Sequence, residues 1–145
     1  MARNTASVER VNSYMARDIE MAGLTGQHVL IVEDEVIISL DLMMILRSEG
    51  AEIIGPAPDV AVALSYIRST TIDCALLDLQ LGNGEDVSPV ADLLAQAGVP
   101  FIFVTAHNGH DILSQHPLQP IVKKPYAGRD IVIAVHTAIA AGNGR

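Results

Sequence analysis

Four places in the sequence carry side chains that could do chemistry together. Glu33 and Asp34 follow the apolar run His28 to Val32, and Asp78 follows the run Cys74 to Leu77. Thr105 follows Phe101 to Val104, and Lys123 and Lys124 follow Ile121 to Val122. Three carboxylates at close quarters repel one another and do not all stay ionised alone. A hard divalent cation resolves the conflict. Mg²⁺ takes oxygen ligands, keeps several waters, and binds one or two carboxylates together with a phosphate. If the fold gathers them, Glu33, Asp34 and Asp78 read as a Mg²⁺ site completed by a phosphoryl group. The bland alternative is a set of solvated acids at loop starts. It suits Glu33-Asp34-Glu35 taken alone and loses ground once Asp78 recurs at the next expected position. A lysine reaching into such a site neutralises phosphoryl oxygens as a point charge. Lys124 precedes Pro125, which keeps it out of helical geometry. Lys123 competes for the role, and strand alternation lets only one of the two point inward. Thr105 could donate a hydroxyl hydrogen bond to the same oxygens, or be a plain turn residue.

The elements that must position these groups alternate. Each apolar run, with Glu52 to Ile54 as a further one, is too short for a helix and reads as a buried strand. Between them lie segments with helical spacing: Glu35 to Ser48, Asp59 to Ser69, Pro89 to Gln96 and Arg129 to Ala141. Ser88 is a candidate N-cap with Pro89 at the first helical position. Gly50 and Gly98 stand where two helices should stop. The segment His107 to Pro120, holding Gly109, Pro117 and Pro120, predicts a short or mobile helix. This alternation predicts an α/β fold: a doubly wound, five-stranded parallel sheet of flavodoxin-like order with helices on both faces. In such sheets chemistry sits at the carboxyl ends of the strands. Four of the five expected strand ends carry polar candidates; the second ends in Gly55-Pro56-Ala57.

Residues 1–26 stand outside the alternation, and 27–145 form the main domain. Ser7 to Ala22 carries Val8, Val11, Met15, Ile19 and Ala22 on one face, the pattern of an amphipathic helix, and Gly23 and Gly26 punctuate a linker. The helix Glu35 to Ser48 is unusually apolar, with Val36, Ile38, Leu42 and Ile45 beyond its expected stripe. Two apolar surfaces without partners are expected to meet, within one chain or across a homodimer.

The 145 residues fit one domain, and the scarcity of aromatics (no Trp, two Phe, three Tyr) requires an aliphatic core. A formal charge of −8 argues against a nucleic-acid surface. The single cysteine, Cys74, lies in an apolar run and reads as a buried, inert thiol. The N-terminus lacks the apolar stretch of a secretory signal. No run approaches the roughly 20 residues of a membrane helix. A cytoplasmic protein, without an output domain after the last helix, is the expectation.

The segments Val32-Glu33-Asp34-Glu35, Leu77-Asp78-Leu79, Val104-Thr105-Ala106 and Lys124-Pro125-Tyr126 together resemble the signature set of response-regulator receiver domains, in order and spacing, over roughly residues 27–141. The resemblance implies that Asp78 accepts a phosphoryl group from a sensor histidine kinase. It implies that Asp34, Asp78 and the backbone carbonyl of Gln80 ligate Mg²⁺, with Glu33 holding the metal through water. Thr105 and Lys124 would then hold the phosphoryl oxygens. The loop Leu81-Gly82-Asn83-Gly84-Glu85 and the stretch Val99-Pro100-Phe101-Ile102-Phe103 are similar to a receiver subfamily of Alphaproteobacteria with a Phe-Ala-Thr-Gly-Tyr motif, whose members are often stand-alone. Here that motif reads Phe103-Val104-Thr105-Ala106-His107. Many receivers carry an aromatic switch residue where this chain has Ile121. The switch region is therefore expected to involve His107, Ile121, Tyr126 and the weak His107 to Pro120 segment. The resemblance implies a phosphoryl acceptor rather than an enzyme, acting on a downstream protein or as a phosphate sink. Two rivals remain. An aspartyl phosphatase would need a general acid where Gln80 stands. A pseudo-receiver would bind proteins without phosphorylation. A transition-metal site at His107, His110 and His116 lacks tight ligand spacing, and His136 reads as a surface residue.

Overall fold

The computed structural model describes residues 23–106 and 111–143, without the side chains of Asp111 and Asn143. The expected helix Ser7 to Ala22 and the histidines His107 and His110 lie outside the described residues. Five strands and five helices alternate: β1 His28–Val32, α1 Val36–Ser48, β2 Glu52–Ala57, α2 Val60–Ser69, β3 Cys74–Leu77, α3 Ser88–Gln96, β4 Phe101–Thr105, α4 Asp111–Gln115, β5 Ile121–Lys123 and α5 Gly128–Asn143. The strands form one sheet in the order β2-β1-β3-β4-β5, all parallel. This is the doubly wound, flavodoxin-like order that the alternation predicts.

The apolar runs are continuous because both faces of the sheet are covered. Successive side chains point to opposite faces, and the core divides accordingly. Leu30, Val32, Ala75, Leu77, Phe101 and Phe103 pack with Ala63 of α2, Val90, Ala91 and Leu94 of α3, and Ile112 of α4. Val29, Ile31, Cys74, Leu76, Ile102 and Val104 pack with Leu42 and Leu46 of α1 and Ile131, Val135 and Ile139 of α5. Burying one such Leu or Ile contributes about 1.5–3 kcal/mol. Phe101 and Phe103 meet edge to face, centroids 5.6 Å apart.

Local chemistry explains the element ends, with two departures from expectation. Asp59 caps α2, its Oδ1 accepting from the Val62 N–H at 2.9 Å. Gly50 and Gly98 take positive φ just past α1 and α3, as expected. Ser88, however, is not the N-cap of α3. The helix begins at Ser88, with Val87 at the cap position. Asp86 makes the capping bonds instead, its Oδ1 accepting from the Ser88 N–H at 2.9 Å and the Ser88 hydroxyl at 2.6 Å. The Ser88 hydroxyl is thus engaged as a donor to the upstream carboxylate rather than as an acceptor for a later helix amide. The second departure is β2, which continues through Gly55-Pro56 to Ala57. The β1–β2 register runs Leu30↔Ile54 and then Val32↔Ala57, so one extra residue is accommodated there. Gly55 absorbs it at φ +94, where a Cβ would press on the Ala57 amide and the Ile31 carbonyl.

The fourth helix is short, five residues, as Gly109, Pro117 and Pro120 on either side of it imply. Among the described residues, no helix is long and apolar enough to cross a membrane.

Candidate functional site: a carboxylate and lysine cluster at the strand ends

The sheet ladder continues one step past the strands and levels the candidate residues. The Glu33 N–H donates to the Ala57 carbonyl at 3.0 Å, Asp78 N–H to the Val32 carbonyl at 3.0 Å, and Lys124 N–H to the Thr105 carbonyl at 2.9 Å. The β2 bulge thus has a purpose at the site: it brings Ala57 under Glu33. Parallel register does the rest, since it aligns the carboxyl ends of neighbouring strands, Val32 with Leu77 and Thr105 with Lys123.

The cluster is buried. Glu33 is 2 % exposed, Asp78 6 % and Thr105 0 %. One ligand atom from each of Glu33, Asp34 and Asp78 lies within 4.8 Å of the others. Lys124 reaches in between, its Nζ 2.8 Å from Glu33 Oε1 and 3.3 Å from Asp78 Oδ2. Lys123 faces outward, so the choice between the two lysines is made. Asp78 Oδ1 accepts from the Gln80 N–H at 3.0 Å. Asp34 Oδ2 accepts from the Gly82 N–H at 2.6 Å. A Cβ on Gly82 would collide with that carboxylate oxygen. Glycine is therefore required for the loop to approach Asp34 closely.

Electrostatics follow from burial. Desolvation pushes the Glu33 carboxyl up to about 8, aided by its hydrogen bond to Asp78 and that residue's charge, and opposed by Lys124. Burial pulls the Lys124 ammonium down, but its bonds to Glu33 and Asp78 and their charges outweigh this and leave it above its ordinary value. A low-dielectric pocket with three carboxylates and one ammonium is short of positive charge. The donor set, all hard oxygen, suits a divalent cation such as Mg²⁺ rather than a soft metal. Beside the cluster opens a cleft of about 760 Å³, lined by Asp34, Gln80, Gly82, Glu85, Ile112 and Gln115 among others.

Two residues expected in the switch region are not part of the cluster. Ile121 opens β5 opposite Phe103, two steps before the Thr105–Lys123 pair, and is 45 % exposed. Tyr126 turns toward α1, its hydroxyl donating to Asp41 Oδ2 at 2.9 Å. Burial and that bond hold the Tyr126 phenol well above its ordinary value. The third, His107, lies outside the described residues. His116, once weighed with His107 and His110, instead bonds Asp92 through Nε2 at 3.0 Å and packs edge-on against Phe101. Cys74 is buried, and burial pushes its thiol up to about 12, so it is inert as expected.

The Gly82 amide and the Asp41–Tyr126 bond were not among the residues singled out from sequence. The Leu81-Gly82-Asn83-Gly84 run, just past Asp78, was the available signal for the first. No sequence signal marks the second, because its partners lie 85 positions apart.

Known proteins match this arrangement. Residues 29–136 match the response regulator receiver domain. The chain is 26% identical over 117 residues to the transcriptional regulatory protein PdtaR of Mycobacterium tuberculosis, covering 79% of this chain and 57% of PdtaR. It is 29% identical over 124 residues to the phyllosphere-induced regulator PhyR of Methylorubrum extorquens, covering 83% of this chain and 46% of PhyR. It thus spans about half the length of the curated relatives it matches. The crystal structure of a response regulator receiver protein from Sinorhizobium medicae superposes with a TM-score of 0.73, at 22% identity, covering 82% of this chain and 98% of that one. Its sheet order, the carboxylates gathered at its strand ends and this family match agree: the chain belongs to the response regulator receiver domain family of two-component systems.

Proposed function

We propose that this receiver is a phosphoryl acceptor in a phosphorelay, taking a phosphoryl group from a sensor histidine kinase onto Asp78. The observation that carries the reading is the buried Asp78 carboxylate, held 3.3 Å from the Lys124 ammonium and within ligand distance of Glu33 and Asp34, beside an open cleft. In the transfer, an Asp78 oxygen forms the new bond to phosphorus as the phosphorus–nitrogen bond of a phosphohistidine breaks. The product is an acyl phosphate. Such chemistry needs mainly positioning and charge neutralisation. Mg²⁺, when bound, would neutralise charge on the phosphoryl oxygens; Asp34, Asp78 and the Gln80 carbonyl would ligate it, with Glu33 acting through water. The Gly82 N–H orients Asp34, and the Gln80 N–H orients Asp78. After transfer, Lys124 would follow the charge from the carboxylate to the phosphoryl group, and Thr105 would bond one of its oxygens. These contacts bias a two-state surface, for which Ile121, Tyr126 and the segment from His107 to Pro120 are the candidates. The signal then passes to a protein target in the cytoplasm, or the chain drains phosphoryl groups from a kinase.

The test is intact-mass spectrometry after incubation with acetyl phosphate, with and without Mg²⁺, on the wild-type chain and Asp78→Ala. A Mg²⁺-dependent gain of one phosphoryl mass, lost in the variant, is expected. No gain in the wild type would leave a protein-binding module that works without phosphorylation.

A further inference from the structure

Helix α1 shows solvent a face that should be buried. Val36 is 69 % exposed, Ile37 82 %, Leu40 52 % and Met44 72 %. A lone exposed Leu is ordinary, but four large apolar residues along one face are a contiguous patch. The opposite face of α1, with Ser39, Leu42 and Leu46, is the one packed on the sheet. Nothing among the described residues covers the outer face.

The chain itself carries a fitting counterpart. Val11, Met15 and Ile19 repeat at the same four-residue steps as Val36, Leu40 and Met44. Only Gly23 separates residues 1–22 from Leu24, and Leu24 sits beside the end of α1, its N–H donating to the Glu49 carbonyl at 2.7 Å. From there β1 runs up the sheet and α1 runs back down. A segment laid along α1 in the same direction therefore reaches Glu49 at Leu24, an offset of 25 positions. The same offset pairs Val11 with Val36, Met15 with Leu40, and Ile19 with Met44. The lengths agree as well: at about 1.5 Å per residue, Ser7 to Ala22 as a helix spans ~24 Å and α1 spans ~20 Å. The link between the two elements is short, which gives the intramolecular arrangement a high effective concentration over any separate partner.

We propose that Ser7 to Ala22 folds as a helix onto the outer face of α1 of its own chain, parallel to it, with Val11, Met15 and Ile19 seated on Val36, Leu40 and Met44.

Paired cysteines in the full-length chain test this. All substituted α1 positions are exposed, so folding is not at stake, and buried Cys74 does not compete. Under mild oxidation, Ile19→Cys/Met44→Cys and Met15→Cys/Leu40→Cys should each form a disulfide within a monomer, seen by mass spectrometry and non-reducing electrophoresis. The out-of-register pair Ile19→Cys/Val36→Cys should stay reduced. Failure of both in-register pairs, or equal oxidation of all three, overturns the proposal. Disulfides found only in dimers also overturn it, and assign the α1 face to a second copy of the chain. None of these readouts depends on Asp78 chemistry.

Discussion

The two ends of the sheet carry the same kind of cluster with different consequences. At the carboxyl ends, Lys124 bridges Glu33 and Asp78. At the amino ends, His28 bridges Glu52 and Asp73, its two ring nitrogens each 3.0 Å from a carboxylate. Both place one basic side chain between two acids: His28 of β1 bridges to its neighbours β2 and β3, whereas Lys124 reaches across β4 to the ends of β1 and β3. The side chains of the first are 14 %, 2 % and 7 % exposed; those of the second are 32 %, 67 % and 35 % exposed. Water screens the second group, which fastens the ends of β1, β2 and β3 and does little else. Burial makes the first group costly, shifts its protons, and leaves it ready to take a cation. Composition alone does not separate a reactive site from a surface ion pair; desolvation does.

Experiments can break that contrast. The largest effect is expected from Lys124→Met. It leaves the buried Asp78 carboxylate and the Glu33 carboxyl without their ammonium partner, and removing one partner of a buried pair costs about 3–5 kcal/mol. Denaturant melts without metal should show a loss of that order, partly restored by Mg²⁺. A loss no larger than that of a surface pair would mean the site is wetter than its burial implies. Next is Gly82→Ala. The added Cβ meets Asp34 Oδ2, so the loop must retreat and the Gly82 N–H bond lengthens. Mg²⁺ affinity, read by calorimetry, should drop several-fold while the circular dichroism spectrum holds. Unchanged affinity would show that Asp34 orients itself without the loop.

A smaller effect is expected from pH. In the folded chain Glu33 keeps its proton up to about 8, against 4.5 in a free chain. Between those values unfolding releases a proton, so this group's contribution is complete below 4.5 and is lost as pH rises toward 8. Metal-free wild type should therefore lose stability across that window, and Glu33→Gln should flatten the slope. An equal slope in the variant would place the proton elsewhere. The smallest effect is expected from His28→Ala, about 0.5–1 kcal/mol, screened further by salt. A loss as large as that of Lys124→Met would erase the distinction between the two ends.

Much of this was legible in residue order. Apolar runs too short for helices gave all five strands, and the acids just past them gave the cluster. Gly50 and Gly98 act where expected. Ser88 did not, because its hydroxyl donates to Asp86 in the turn before the helix, a contact that no propensity describes. The β2 end was underestimated for a similar reason. The apolar run stops at Ile54, and only the pairing with β1 shows a strand that bulges and continues to Ala57. Strand alternation alone left the lysine choice open, since a strand of three leaves little pattern to phase, and only the Lys124-Pro125-Tyr126 resemblance pointed to Lys124.

By itself the sequence determined the alternation of strands and helices, the two-faced burial of the sheet, and which acids stand at strand ends. These follow from local rules: hydrophobic period, turn residues and chain length. Only the tertiary structure decided that Lys124 and not Lys123 turns inward, that Glu33 shares it with Asp78, and that Gly82 closes on Asp34. It alone ties Tyr126 to Asp41. Each of these is a distance of a few ångströms between residues tens of positions apart. Such distances are set by strand register and core packing, which no single segment encodes.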